Sequence, residues 1–228
     1  MPPHCCEIQC EGDSRCSGSC PAAASTEPAS LASTLGQVPA PPVRILLISG
    51  SLRAGSTNTA ALRTAAEVAP EGIATVLYEG MAALPHFNPD DDSEGARVHP
   101  AVAALRTAIH AADALLLSTP EYAGALPGSF KNLLEWTVGD ASTYRKPVAW
   151  VNAASAAAPT GAADAHASLR KVLGYVHAEI VEDACVRIPV PRNAIGEDGL
   201  IADKAIRHAL AESLDTLAAH VAGQAEAA

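Results

Sequence analysis

The chain has 228 residues, 49% of them hydrophobic, and carries 15 Lys and Arg against 25 Asp and Glu for a net charge of −10. That length suits one domain with a substantial core, while the acidic balance sets the overall field against nucleic acid or any other polyanion. No apolar run approaches the roughly 20 residues that cross a bilayer, and the N-terminus lacks the apolar core of a secretory signal, so the expectation is a cytoplasmic protein with no membrane partner.

Residues 1–42 are rich in Ala, Ser and Pro with no sustained apolar period, and are expected to be a disordered tail. Five of the six cysteines (Cys5, Cys6, Cys10, Cys16, Cys20) lie there with His4. Their spacing gives no paired C-x-x-C knuckles, so no metal site is expected. Only Cys185 falls in the body, and the fold cannot depend on disulfides.

From Val43 the chain alternates short apolar runs with helical spacing, and residues 43–225 read as one domain. The strand candidates are Val43 to Ser49, Ile73 to Glu79, Ala114 to Thr119, Pro147 to Ala153 and Glu179 to Ile188. Between and after them, one helical face is marked by Leu62, Ala65, Ala66 and Ala69, and the next by Val102, Leu105, Ile109 and Ala112. The pattern repeats with Phe130, Leu133 and Leu134, then Leu169, Val172, Leu173 and Val176, then Leu210, Leu214, Leu217 and Val221. Strands apolar on both sides call for a parallel α/β sheet covered by helices on both faces. Five units suit the doubly wound order 2-1-3-4-5. Ligands of such sheets bind outside the carboxyl ends of the strands where strand order reverses, so the loops after the first, third and fourth strands should converge.

The first of these loops lies in "RILLISGSLRAGSTN" (Arg44 to Asn58). Its glycines and small hydroxyl residues leave backbone N–H groups accessible, and a helix starting near Thr57 or Asn58 would aim its positive end into the same space. Ser51, Ser56, Thr57 and Asn58 offer donors and Arg53 a charge, which suits an anion such as a phosphate; a capped helix after a tight turn is the plainer alternative. Gly50 and Gly55 have the G-x-x-x-x-G spacing of a triphosphatase loop, but Ser56 stands where its Lys would be. There is no G-x-G-x-x-G. A single terminal phosphate fits better than a triphosphate or a dinucleotide.

The second loop belongs to "STPEYAGALPGSFKNLLEWTVGD" (Ser118 to Asp140). Pro120 biases Thr119 away from helix, Gly124 permits a turn and Pro127 can start a helix. The result is a rigid ledge with Tyr122 at its tip, suited to a planar heterocycle, although Glu121 and Tyr122 read equally well as ordinary loop residues. Trp136 reads as core or subunit contact.

"SGSLRAGSTN" followed about sixty residues later by "TPEYAGALPGSFKNLLEW" resembles the NADPH-dependent FMN reductase family, flavodoxin-like reductases of quinones, chromate and azo compounds. The likeness runs from about Arg44 to Pro189. It implies a flavodoxin-like doubly wound sheet of five parallel strands, with FMN as cofactor and NADPH or NADH as hydride donor. By position, Ser51, Arg53, Ser56, Thr57 and Asn58 would hold the FMN phosphate. Pro120, Glu121, Tyr122, Ala123 and Gly124 would border the isoalloxazine, with the backbone of Glu121 and Tyr122 near flavin N5, and Ser155 and Gly161 would lie near its other side. The chain departs from the family at Ala162, where a second Gly is frequent, and at Ala123, where a polar side chain is common. Phe130 and Glu135 stand where Leu and Asp are usual.

The resemblance further implies hydride transfer through FMN to a small-molecule electron acceptor, with no side-chain nucleophile and with the flavin carrying the chemistry. It also implies a homodimer or homotetramer, with the helix of Leu133, Leu134 and Trp136 near the interface. Two alternatives differ in kind. A flavodoxin-type electron carrier would bind FMN without oxidising NAD(P)H, and a non-enzymatic module would bind another phosphorylated ligand or none.

Overall fold

The computed structural model describes residues 41–227. His4 and the five N-terminal cysteines lie outside them, as does all but the end of the expected tail.

Among the described residues six strands and five α-helices follow, alternating as expected up to the fifth strand: β1 (Val43–Ser49), α1 (Thr57–Glu67), β2 (Ile73–Tyr78), α2 (Pro100–Ala111), β3 (Ala114–Ser118), α3 (Gly128–Glu135), β4 (Pro147–Asn152), α4 (Ala163–Tyr175), β5 (Glu179–Ile180), β6 (Val186–Arg187) and α5 (Lys204–Ala227). The sheet is parallel with order β2-β1-β3-β4-β5, and β6 also pairs with β4. Because successive residues of a strand point to opposite faces, β1 serves two cores. Ile45 and Leu47 join the inward faces of α1 and α5, while Leu46 and Ile48 join those of α2, α3 and α4. This two-sided burial is why the strands read as continuous apolar runs.

The fifth strand departs from expectation. Instead of one run from Glu179 to Ile188, the chain pairs at Val148↔Ile180 and again at Val151↔Val186. Three surplus residues, Glu182–Ala184, form a 3-10 turn between the two pairings. Ala184 is fully buried and its carbonyl accepts from Ser213 Oγ of α5 at 2.7 Å, so the excursion is packed rather than loose. Glu182 is paired with Arg170 of α4, whose guanidinium lies 5.0 Å from the centroid of the Trp150 ring.

Leu133, Leu134 and Trp136 are at most 2% exposed within the subunit's own core. The indole N–H of Trp136 donates to Pro85 O at 2.9 Å, and its ring meets Phe87 edge-on. Beside it, Arg106 bonds both oxygens of Asp92, at 2.7 and 2.8 Å, and also the Trp136 carbonyl. No described helix is long and apolar enough to cross a membrane.

Candidate functional site

At the carboxyl ends of β1, β3 and β4 the three connecting loops enclose a cleft of about 410 Å³. Its walls include Ser51, Arg53, Ser56, Thr57 and Asn58 from the first loop, Pro120, Glu121 and Tyr122 from the second, and Ser155 from the third. Three expected residues, Ala123, Gly124 and Gly161, are not among its lining.

The first loop is drawn tight because Gly50 has no side chain. A Cβ there would lie 2.6 Å from Thr119 Oγ1 and 2.8 Å from the Phe130 ring, so only glycine lets the end of β1 approach the β3 loop this closely. Ser56 is the N-cap of α1, its hydroxyl accepting from Thr59 N at a long 3.5 Å. Its carbonyl takes the Ala60 N–H, which leaves the N–H groups of Thr57 and Asn58 without a partner among the described residues. Arg53 folds back so that its guanidinium donates to Gly55 O at 2.6 Å. Together these groups present an electropositive corner.

Asn58 differs in detail from its expected role. Ser118 Oγ lies 2.9 Å from Asn58 Oδ1 and 2.8 Å from Val151 O, with one proton for two oxygens. The arrangement closes if the Asn58 amide turns to donate to Ser118 while Ser118 donates to Val151 O. Either way the side chain is tied inward, and the backbone N–H of Asn58 is the donor left for a ligand.

In the second loop, Tyr122 and Ala125 exchange both backbone hydrogen bonds at 3.1 Å. Ala123 (φ 52°) and Gly124 (φ 71°) between them are left-handed, the signature of a type I′ turn. The ledge is therefore rigid, and Tyr122, 50% exposed, stands at its edge. The Tyr122 N–H is consumed within the turn, so of the two backbone groups expected near a ligand only that of Glu121 has no partner among the described residues.

Glu121 does more than border the cleft. Its carboxylate accepts from Thr160 Oγ1 at 2.7 Å and from the N–H groups of Asp164 and Ala165 at 3.0 and 3.2 Å. The N-cap position of α4 is Ala162, which has no capping side chain, so Glu121 supplies the cap from another loop. The Thr160 hydroxyl, and then these two amides, hold its carboxyl below the usual range. His166, one turn into α4, is buried and donates from Nδ1 to Ala162 O at 2.8 Å. Burial pushes its pKa down and keeps it neutral.

In the third loop, Gly161 lies beneath the wall, its carbonyl accepting from Asn152 Nδ2 at 2.9 Å. Sequence reasoning missed Thr160, Val190 and Arg192, all of which line the cleft. The segment after β6 both covers the cleft and links β6 to α5. Val190 and Arg192 reach the cleft, whereas Ile201 is fully buried and its N–H donates to Thr64 Oγ1 of α1 at 2.9 Å.

The profile of the family described as NADPH-dependent FMN reductase matches residues 43–190. An NAD(P)H-dependent FMN reductase of Pseudomonas aeruginosa is 33% identical over 177 residues, covering 77% of this chain and 93% of that one. A 2-hydroxy-1,4-benzoquinone reductase of a Burkholderia species is 31% identical over 183 residues, covering 78% and 96%. Among solved structures, the flavoenzyme NAD(P)H:(acceptor) oxidoreductase FerB of Paracoccus denitrificans aligns with a TM-score of 0.67 and 26% identity, covering 79% and 98%.

Proposed function

This chain belongs to the NADPH-dependent FMN reductase family, and on that footing we propose that it passes a hydride from NADPH or NADH, by way of FMN in the cleft, to a small acceptor of the quinone class. Chromate, azo compounds and free flavin remain within the range of acceptors that the family resemblance suggests. Residues 43–225 form the catalytic domain in this reading.

The observation that carries it is the pairing, in one cleft, of an electropositive corner with a rigid flat ledge. FMN has a phosphate at one end and a planar ring at the other, and the residues present fit both. The unpartnered N–H groups of Thr57 and Asn58, the hydroxyls of Ser51, Ser56 and Thr57, and the Arg53 guanidinium suit the phosphate. Pro120, Glu121 and Tyr122 offer the ring an edge with a backbone N–H to donate, and Ser155 a hydroxyl on the opposite wall. Ala123 and Gly124 serve by shaping the turn, and Gly161 by shaping the third loop from below.

When bound, FMN supplies two-electron chemistry that no side chain here could. The chain's own contribution is to orient and to neutralise. Glu121 fixes the ledge against α4, the Glu121 N–H offers a donor where charge develops on a ring, and neutral His166 adds no competing charge beneath the wall. We further propose that the enzyme works in the cytoplasm as a homodimer or homotetramer. Leu133, Leu134 and Trp136 face inward, so contact through α3 falls to the groove it forms with α4. Val138 (59% exposed) and Tyr175 (78% exposed) line that groove.

The test is a visible spectrum of the purified full-length protein, followed by anaerobic addition of NADPH and of NADH. Bound flavin that bleaches supports the reading. A colourless protein that takes up no FMN overturns it, and sedimentation returning only monomer removes the oligomer.

A further inference from the structure

Arg192 is a cation on the cleft wall with no ion pair among the described residues. Elsewhere Arg44, Arg63, Arg106 and Arg170 each meet a carboxylate. Arg192 lines the cleft and is exposed, and no carboxylate or carbonyl accepts from its guanidinium among the described residues. Arg187 is also without such an acceptor. It lies against Gly161 so closely that a Cβ there would collide with its guanidinium, on the stretch between the cleft residues Thr160 and Ala162. The carboxylate that lines the cleft, that of Glu121, is spent on Thr160 and the α4 amides.

An unpaired cation on this wall stands out in a chain of net charge −10. It also comes from a different segment than the corner at α1. The loop bearing Arg53 follows β1 and the segment bearing Arg192 follows β6, strands whose ends are three positions apart across β3 and β4, or about 14 Å at the usual spacing. The cleft thus takes cations from two different segments. Under the proposed function one of them faces the FMN phosphate, and the other has no assignment.

We propose that Arg192 binds a phosphate group of the pyridine nucleotide and so sets donor affinity. This rests on the reductase reading above. A guanidinium suits a phosphate ester because its fork of N–H donors matches two oxygens at once. The 2′-phosphate and the pyrophosphate share this chemistry, and the experiment separates them.

FMN-loaded full-length protein, as wild type, Arg192→Ala and Arg192→Lys, is titrated with NADP⁺ and with NAD⁺ by calorimetry, and flavin content is read from the visible spectrum. In Arg192→Ala the Kd for NADP⁺ should rise at least about tenfold, as expected for loss of a charge-assisted contact, and Arg192→Lys should recover part of it. A rise confined to NADP⁺ assigns the 2′-phosphate; equal rises for both nucleotides assign the pyrophosphate. Unchanged Kd values in Arg192→Ala overturn the proposal, as does loss of flavin, which would place Arg192 on the FMN phosphate instead. Flavin-loaded wild type that neither binds nor oxidises either nucleotide would instead sink the reductase reading itself.

Discussion

Glu121 and Thr160, 39 residues apart in the chain, meet at 2.7 Å across the edge of the cleft, and the same carboxylate closes the N-terminus of α4. The ledge and the third loop are therefore one mechanical unit. Because the folded pKa of Glu121 is depressed, its contribution is complete above the ordinary carboxylate value of roughly 4.3 and is lost as pH falls through the lower folded value. Glu121→Gln should melt below wild type at neutral pH, and the gap should close as the pH is taken below about 4. Thermal melts of both proteins across pH 3 to 7 check this; a gap that stays constant would mean that Glu121 is not the tether.

Arg53→Ala combined with Ser56→Ala should shed FMN while the apoprotein stays folded. Removing a charge-assisted contact and a hydroxyl from a phosphate costs on the order of 2 to 4 kcal/mol, or a factor of about 30 to 1,000 in Kd. Absorbance of the dialysed protein reports the flavin and far-ultraviolet circular dichroism the fold. Full retention of flavin would put the phosphate elsewhere.

Arg106 and Asp92 are 11% and 7% exposed at their side chains, and they join α2 to the segment before it. Arg106→Ala should destabilise by about 3 to 5 kcal/mol, because it strands a buried carboxylate. Adding Asp92→Ala should restore much of that loss. Urea denaturation of the two single variants and the double variant gives the coupling, and strictly additive losses would show that the pair is not energetically linked.

Ala123 occupies a left-handed position that costs an alanine about 1 kcal/mol and that asparagine tolerates. Since its side chain is exposed, Ala123→Asn should gain up to about 1 kcal/mol with no packing lost, read as a higher urea midpoint at unchanged slope. A midpoint at or below wild type would deny the strain.

The two-faced strands and two of the three converging loops were legible because their signals are local: apolar runs at Ile45 to Ile48 and Leu115 to Leu117, small hydroxyls at the start of α1, and Pro120 and Pro127 framing the ledge. The split of the fifth strand was not, since nothing in "EIVEDACVRI" distinguishes a strand from a strand with an inward turn; that choice is made by Ser213 of α5 and Arg170 of α4. Arg192 was hidden for a related reason. The segment that carries it is held by contacts remote in sequence, among them that of Ile201 with Thr64, 137 residues apart. What the family departures at Ala123 and Ala162 cost is visible only in the backbone, where both have positive φ (52° and 61°) and alanine is a poor occupant.

The interrupted fifth strand bears also on how copies of this chain behave in a crowded solution. An uninterrupted outer strand offers a template on which another polypeptide can add itself, the usual opening step of strand-mediated aggregation. Here that margin consists of two pieces of two residues each, separated by a 3-10 turn. A newcomer would find too few consecutive donors and acceptors to dock, so association seeded along this border should be suppressed and the opposite border at β2 left as the exposed flank.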